Sequence, residues 1–244
     1  MTTLPQGTVT FAFTDIEGST ALLKQLGERY VDVLSDHRRL VRDSFTAHGG
    51  TEIDSQGDAF FFAFTRASDA VAGAVQAELA HAERAWPDDA VVRVRIGLHT
   101  GEPTVSDAGY IGLDVVRAAR LCSSCRGGQV LLSSATRALL GSALPEGVGI
   151  YPVGQRQLKD IDEPEVVYEL EIDGVETSGE PEPAAVAARA EPLSPPARSE
   201  RPSFDQRIEH WAEDLSARIE EQVASNLERS LNWIPGADKK REKG

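Results

Sequence analysis

The chain has 244 residues, enough for one domain with extensions or for two small domains. Apolar residues make up 41% and charged residues 26%, which argues against a wholly disordered or fibrous protein. Lys and Arg number 25 against 39 Asp and Glu, so the formal net charge is 25 − 39 = −14. A surface this acidic repels phosphate backbones, and we therefore expect no nucleic-acid partner.

The sequence also gives no indication of a membrane or a secretory route. No run approaches the roughly 20 apolar residues that a membrane-spanning helix requires, and the first residues lack the basic start and apolar core of a signal peptide. The two cysteines, Cys122 and Cys125, cannot build a disulfide framework, which fits a reducing compartment. We therefore expect a cytoplasmic protein with no membrane partner.

Strand and helix periodicities follow each other in mixed order up to residue 172, which predicts one α+β domain over residues 7–172. The first strand, residues 8–14, ends just before Asp15, and the helical stretch that follows it, residues 21–48, has a predicted break near Gly27. Strands 51–54 and 59–64 flank a turn that carries Asp58. The other predicted elements, in chain order, are helix 67–86, strand 91–100, helix 112–124, strand 129–132, helix 134–140 and strand 166–172.

Composition changes sharply after this domain. Residues 173–202 contain six prolines and little apolar material, which predicts a disordered, flexible linker. Residues 203–234 open with a capping box and predict an amphipathic helix whose net charge is negative, which disfavours anionic lipid and favours a coiled coil or another helical partner. Its apolar stripe consists of Phe204, Ile208, Trp211, Leu215, Ile219, Val223, Leu227 and Leu231.

Most familiar catalytic motifs are absent from the sequence: there is no Walker loop, no zinc-protease motif and no nucleophile elbow. Two acids remain at unusual places, because Asp15 closes an apolar strand and Asp58 lies in a glycine turn. If their strands are neighbours in one sheet, the two carboxylates converge and can bind hard cations such as Mg²⁺. The residues alone equally allow each acid to be a turn former or a helix cap.

Four ordered motifs carry a resemblance to a known family. They are FTDIEGST at residues 13–20, QGDAFF at 56–61, RVRIGLHTG at 93–101 and RAARL at 117–121. Together they resemble the catalytic domain of class III adenylate and guanylate cyclases, in particular actinobacterial forms. The resemblance implies a ferredoxin-like α+β fold, a nucleoside triphosphate substrate, and a head-to-tail homodimer with active sites at the interface.

The same resemblance implies roles for particular residues. Asp15 and Asp58 match the acids that hold two Mg²⁺ or Mn²⁺ ions, with the backbone carbonyl of Ile16 as a further ligand. Arg120 matches the catalytic arginine that grips phosphate from the opposite chain. Lys159 matches, with looser alignment, a lysine that contacts the triphosphate.

The sequence departs from the family pattern at three positions. Asp54 stands where a lysine commonly reads the base, Gly109 or a neighbour stands where the partner acid is expected, and Val116 replaces an asparagine that steadies the ribose. Arg117, three residues before Arg120, could supply replacement charge toward the substrate.

The four motifs together predict a nucleotidyl cyclase, with ATP as the expected substrate because Asp54 can accept from an amino group on the base. The alternatives are a weak or inactive regulatory module and a pyrimidine nucleotide cyclase.

Overall fold

The computed structural model describes residues 4–106, 109–141 and 144–179. The predicted helix at 203–234 and most of the predicted linker lie outside these ranges. Within them the chain forms nine strands and five α-helices. The strands are β1 Val9–Ile16, β2 Thr51–Gln56, β3 Ala59–Phe64, β4 Val94–Gly101, β5 Thr104–Ser106, β6 Gly109–Ile111, β7 Gln129–Ser133, β8 Val148–Arg156 and β9 Glu165–Ile172. The helices are α1 Ser19–Leu26, α2 Tyr30–Ala47, α3 Ala67–Ala82, α4 Leu113–Ser123 and α5 Ser134–Leu140.

Seven strands form one sheet in the order β2-β3-β1-β4-β7-β9-β8. Its first four strands, joined as β1-α-β2-β3-α3-β4, have the connectivity and strand order of a ferredoxin-like unit. β1 lies between β3 and β4 and is antiparallel to both, whereas β4 and β7 are parallel. The predicted α+β, ferredoxin-like class is therefore confirmed.

Alternation along β1 divides the core between the two faces of the sheet. Val9, Phe11 and Phe13 pack with α4 on one face, while Ala12 on the other belongs to the core formed with α2 and α3. All eight residues of β1 are buried. The strand that ends at Asp15 and Ile16 is thus held on both sides, and its end is a rigid platform.

The break expected near Gly27 is present, since α1 ends at Leu26, a single 3₁₀ turn covers Gly27–Arg29, and α2 begins at Tyr30. α3 ends at Ala82, earlier than expected, and the indole Nε1 of Trp86 donates to the carbonyl of His81 at 3.1 Å. Two features were not predicted from the sequence: β8, whose glycines and Pro152 interrupt any alternation, and the short hairpin β5–β6.

Packing continues a few residues past the domain boundary expected at residue 172. The amide of Asp173 donates to the carbonyl of Gly147 at 3.0 Å, and the amide of Ser178 donates to the carbonyl of Gly127 at 2.8 Å. The hydroxyl of Ser178 also donates to the carboxylate of Glu17 at 3.0 Å. Across the described part of the chain, no helix combines the length and the apolar character needed to cross a membrane.

Candidate active site

The acid at the end of β1 owes its position to strand alternation. Asp15 follows Phe11 and Phe13 on the face that α4 covers, and it is fully buried. In the β1–β4 register Asp15 lies opposite Arg95, so both side chains are on the same face. The Arg95 guanidinium donates to Asp15 Oδ2 and forms an ion pair with it.

The second acid, Asp58, follows Gly57 in the β2–β3 turn, where Gly57 has a φ of 65°. Asp58 is 3% exposed, and its Oδ2 accepts a hydrogen bond from the amide of Ile16 at 3.3 Å. Arg38 of α2 donates from Nε to the carbonyl of Gly57 at 2.8 Å. The turn is therefore tied both to the end of β1 and to α2, and the structure brings Asp15, Ile16 and Asp58 together.

Two buried histidines, His37 of α2 and His81 of α3, support the backbone of this turn. His37 Nε2 lies 2.8 Å from the carbonyl oxygen of Asp58, and its Nδ1 lies 3.0 Å from Nε2 of His81. His81 Nδ1 in turn lies 2.7 Å from the carbonyl oxygen of Ala77. Burial lowers the pKa of His37 to about 4 and that of His81 to about 3, so both rings are neutral at pH 7. Each neutral ring has one N–H, and because carbonyl oxygens only accept, these two groups donate to the carbonyls of Asp58 and Ala77, so the contact between the two rings has no proton. The hydrogen bond from His37 to Asp58 fixes the turn.

The electrostatics of the acid pair favour a cation. Burial, followed by the charge of Asp58 and a hydrogen bond to its carboxyl group, raises the pKa of Asp15 well above its usual value, and Arg95 acts in the opposite direction. Two adjacent buried carboxylates repel each other unless a positive charge joins them. Carboxylate and carbonyl oxygens are the ligands that Mg²⁺ and Mn²⁺ prefer, and Mg²⁺ commonly takes only one or two carboxylates. The donor set of Asp15, Asp58 and the Ile16 carbonyl therefore fits such ions, although no group of three or more acidic, His or Cys side chains is placed to hold a metal ion among the described residues.

Arg120 lies on α4 and is 5% exposed. Ala118 and Cys122 pack in the core with β1, so Arg120, halfway between them along the helix, projects from the opposite side. Its guanidinium Nη2 donates to Asp160 Oδ2, in the loop between β8 and β9. The structure thus groups Arg120 with the loop that contains Lys159 and Asp160, and the sheet-facing side of α4 separates this group from the acid pair.

The sequence matches the family described as adenylate and guanylate cyclase catalytic domain over residues 1–170, more than half of the chain. The chain belongs to this family. It is 38% identical over 168 residues to an uncharacterized protein of Mycobacterium tuberculosis, with 68% of this chain and 56% of that protein covered. It is 31% identical over 204 residues to a receptor-type adenylate cyclase of Trypanosoma congolense, with 66% of this chain and 27% of that protein covered.

Solved structures agree with this assignment. Adenylate cyclases of Trypanosoma brucei in their monomeric state share 27% identity and a TM-score of 0.64 with this cyclase domain, with 69% of this chain and 91% of that chain covered. The fold and the family predicted from the motifs are therefore confirmed.

The departures from the family pattern can now be located in the cyclase domain. Val116 is partly buried and packs against two core clusters, where an apolar side chain offers no hydrogen-bond donor. Asp54 lies in β2 opposite Phe61 of β3, and its Oδ1 accepts from the amide of Ser55 at 2.8 Å. The Phe61 ring stacks on Phe13, so Asp54 lies toward the face of the sheet that carries Asp15.

Arg117 is held by acids of its own cyclase domain. Its Nη1 donates to Asp114 Oδ1 at 3.0 Å, and its Nε lies 2.9 Å from Glu165 Oε1. Asp114 also accepts from the amide of Glu102 at 3.1 Å, and its Oδ1 lies 3.1 Å from Nε2 of His99. This network ties the first turn of α4 to β4 and β9.

Two residues that contact the proposed site residues, Arg95 and Asp160, were not predicted from the sequence. Arg95 lies within a quoted motif, but its link to Asp15 depends on the register between two strands that are distant in sequence. Asp160 directly follows Lys159, yet nothing in its local pattern indicates a contact with α4.

Proposed function

We propose that this domain is a nucleotidyl cyclase that converts a nucleoside triphosphate into a 3′,5′-cyclic nucleotide and pyrophosphate. The ribose 3′-oxygen bonds to the α-phosphorus of the same molecule, the bond from that phosphorus to the bridging oxygen of the β-phosphate breaks, and the hydroxyl proton is released. The observation that carries the proposal is the convergence of Asp15 and Asp58, two buried carboxylates, at the end of β1. Membership of the cyclase family supports it.

In this reaction Asp15, Asp58 and the carbonyl of Ile16 would hold two Mg²⁺ or Mn²⁺ ions. Such ions, when bound, lower the pKa of an attacking hydroxyl group and neutralise charge on the leaving pyrophosphate. The protein contributes a rigid position, because β1 is buried and the Asp58 turn is fixed by Ile16, Arg38 and His37. Arg95 compensates the buried charge of Asp15 from the neighbouring strand.

Arg120 and Lys159 bind the phosphates in this proposal. A guanidinium can give two fixed hydrogen bonds to charge that develops on a phosphoryl group. Because Arg120 projects from the side of α4 that faces away from β1, we infer that it serves the acid pair of a second copy of this chain. A head-to-tail homodimer with two such shared sites satisfies this geometry.

Asp54 is the proposed base-reading residue, and ATP is the proposed substrate. An ionised carboxylate only accepts hydrogen bonds, so it suits the exocyclic amino group of adenine, guanine or cytosine and disfavours uracil, whose O4 is also an acceptor. Asp54→Lys should therefore shift the preference among the four nucleotides. Cyclic UMP as the main product of the wild type would show that Asp54 does not face the base.

A second candidate function is a binding or regulatory module with the cyclase fold. Val116 favours it, because an apolar side chain there supplies no donor to the ribose. Loss of one transition-state donor costs on the order of 10²–10³ in rate, which slows a cyclase without abolishing its activity. We therefore place catalysis first.

The deciding experiment is incubation of the purified protein with each of the four ribonucleoside triphosphates and Mn²⁺, with cyclic product and pyrophosphate identified by mass spectrometry. We expect cyclic AMP and pyrophosphate in equal amounts. The Asp58→Asn protein is the matched control, since it keeps the shape of the side chain and loses the charge. Binding of nucleotide without product from any of the four would favour the regulatory module.

A further inference from the structure

We propose that Asp160 competes with the substrate for Arg120. Its carboxylate pairs with this catalytic arginine when no triphosphate is bound. This proposal rests on the cyclase chemistry assigned above to Arg120. It adds a residue with an inhibitory role in substrate binding, and that residue lies outside the catalytic machinery itself.

The burial of the two partners is unequal. The Arg120 side chain is 5% exposed, whereas that of Asp160 is 57% exposed. A buried guanidinium is costly to leave unpaired, while an exposed carboxylate can turn into water at little cost. Asp160 is therefore the partner that can leave, and Arg120 stays in place for an incoming anion.

The residues on either side of the Lys159–Asp160 tip are fixed in the core, so the carboxylate of Asp160 extends from an anchored turn. Leu158 and Ile161 are 3% and 5% exposed and pack in a core cluster with Leu121 of α4. The amide of Ile161 donates to the carbonyl of Leu158 at 3.3 Å, which closes a turn with Lys159 and Asp160 at its exposed tip. The base of the turn is anchored to the helix of Arg120, so only the tip has to move.

The backbone at Asp160 has a φ of 61°, in the left-handed region. Glycine adopts this conformation without strain, whereas a residue with a Cβ does so at a cost, which is smaller for Asp and Asn than for others. The turn thus carries a carboxylate where its geometry favours glycine. The ion pair between Asp160 and Arg120 offsets the conformational cost of this backbone geometry.

The triphosphate is the natural replacement for this carboxylate. Its oxygens match the fork of the guanidinium and carry more charge than one carboxylate. Arg120 Nε is buried and has no hydrogen-bond partner within residues 4–106, 109–141 and 144–179, so the guanidinium has a donor left for a second oxygen. The need to displace Asp160 lowers the affinity for substrate, whereas its presence keeps the charge of Arg120 compensated in the empty site.

The test is calorimetric titration of the full chain with inorganic tripolyphosphate in the presence of Mg²⁺. In Asp160→Asn, which tolerates the left-handed backbone and lacks the charge, the dissociation constant should fall about three- to tenfold. Asp162→Asn removes the same charge from an exposed position two residues away and should change it by less than about twofold. In an Arg120→Ala background, Asp160→Asn should have no effect.

Several results would overturn the proposal. These are equal or weaker binding by Asp160→Asn, an effect that persists without Arg120, and no measurable binding by either the wild type or Asp160→Asn. Tighter binding by Asp160→Gly but not by Asp160→Asn would assign the effect to backbone strain and reject competition by charge.

Turnover separates this proposal from the proposed function. If the domain is a cyclase, the KM of Asp160→Asn for the triphosphate should fall with little change in kcat. If no variant forms a cyclic product, the proposed function fails, and the tripolyphosphate titrations still decide whether Asp160 competes for Arg120.

Discussion

The proposed catalytic machinery contains two ion pairs, one at the cation site (Asp15 with Arg95) and one at the anion site (Arg120 with Asp160). The two pairs are built differently. Asp15 and Arg95 lie opposite each other in adjacent strands, with side chains 1% and 16% exposed. Arg120 is also buried, with 5% of its side chain exposed, but its partner Asp160 lies in a loop and is mostly exposed. The first pair is fixed by the sheet, whereas the second can open, which suits a rigid cation site and an exchangeable anion site.

The largest expected effect concerns the acid pair. Asp58→Asn should reduce cyclisation by at least about 10³-fold, because an amide cannot neutralise a metal ion as a carboxylate does. The amide oxygen can still accept from Ile16, so the thermal unfolding temperature should change little. The measurement is specific activity with Mn²⁺ alongside calorimetric unfolding, and near-normal activity in a folded variant would reject the two-ion site.

The separation of the two pairs by α4 predicts complementation. Asp15→Ala and Arg120→Ala proteins should each be inactive alone, and an equimolar mixture should recover about a quarter of wild-type activity, because half of the dimers are mixed and each has one intact site. Subunit exchange is verified with differently tagged chains. Failure to recover activity despite exchange would place Arg120 and the acid pair of one chain in the same site.

The free energy of unfolding should distinguish the two pairs by whether the charge left behind can find another partner. Arg95→Met leaves Asp15 buried beside Asp58 without a cation and should lower the free energy of unfolding by about 3 kcal/mol. Asp160→Asn leaves an exposed amide oxygen and water that can still accept from Arg120 and should lower it by about 1 kcal/mol or less. Urea denaturation of both proteins checks the order. Adding Asp15→Asn to Arg95→Met should restore stability, and a further loss would show that the two side chains are not coupled.

The smallest expected effect concerns Glu78, a buried acid of α3 away from both pairs. Burial raises its pKa well above the usual value, and its Oε1 has no hydrogen-bond partner in the part of the chain that the structure describes. Above pH 4.5 the unfolded chain loses this proton while the folded chain keeps it, so stability falls as pH rises toward the folded pKa.

Glu78→Gln should therefore be more stable than the wild type by about 1 kcal/mol at pH 8 and equal to it near pH 4. Thermal unfolding from pH 4 to pH 8 measures the difference. An equal pH dependence in both proteins would show that Glu78 ionises in the folded chain as it does in the unfolded one.

Local patterns were sufficient for the elements that lie in the core. Alternation predicted β1, the glycine turn at residues 55–58 predicted β3, the glycine at residue 27 predicted the break between α1 and α2, and Ser134–Leu140 was predicted with its observed bounds. β8 was missed because it is an edge strand whose burial pattern does not alternate. An element that is not half-buried leaves little periodic signal in the sequence.

By itself the sequence determined which residues end the buried strand and occupy the glycine turn, because strand period and turn chemistry are local properties. It therefore located Asp15 and Asp58, and its four motifs indicated the family; the resemblance to that family added Ile16. Only the tertiary structure decided the charged partners. Arg95 reaches Asp15 across 80 residues through strand register, and Asp160 reaches Arg120 across 40 residues through a loop anchored on α4. Pairing at such separations depends on the packing of whole elements, which no local pattern encodes.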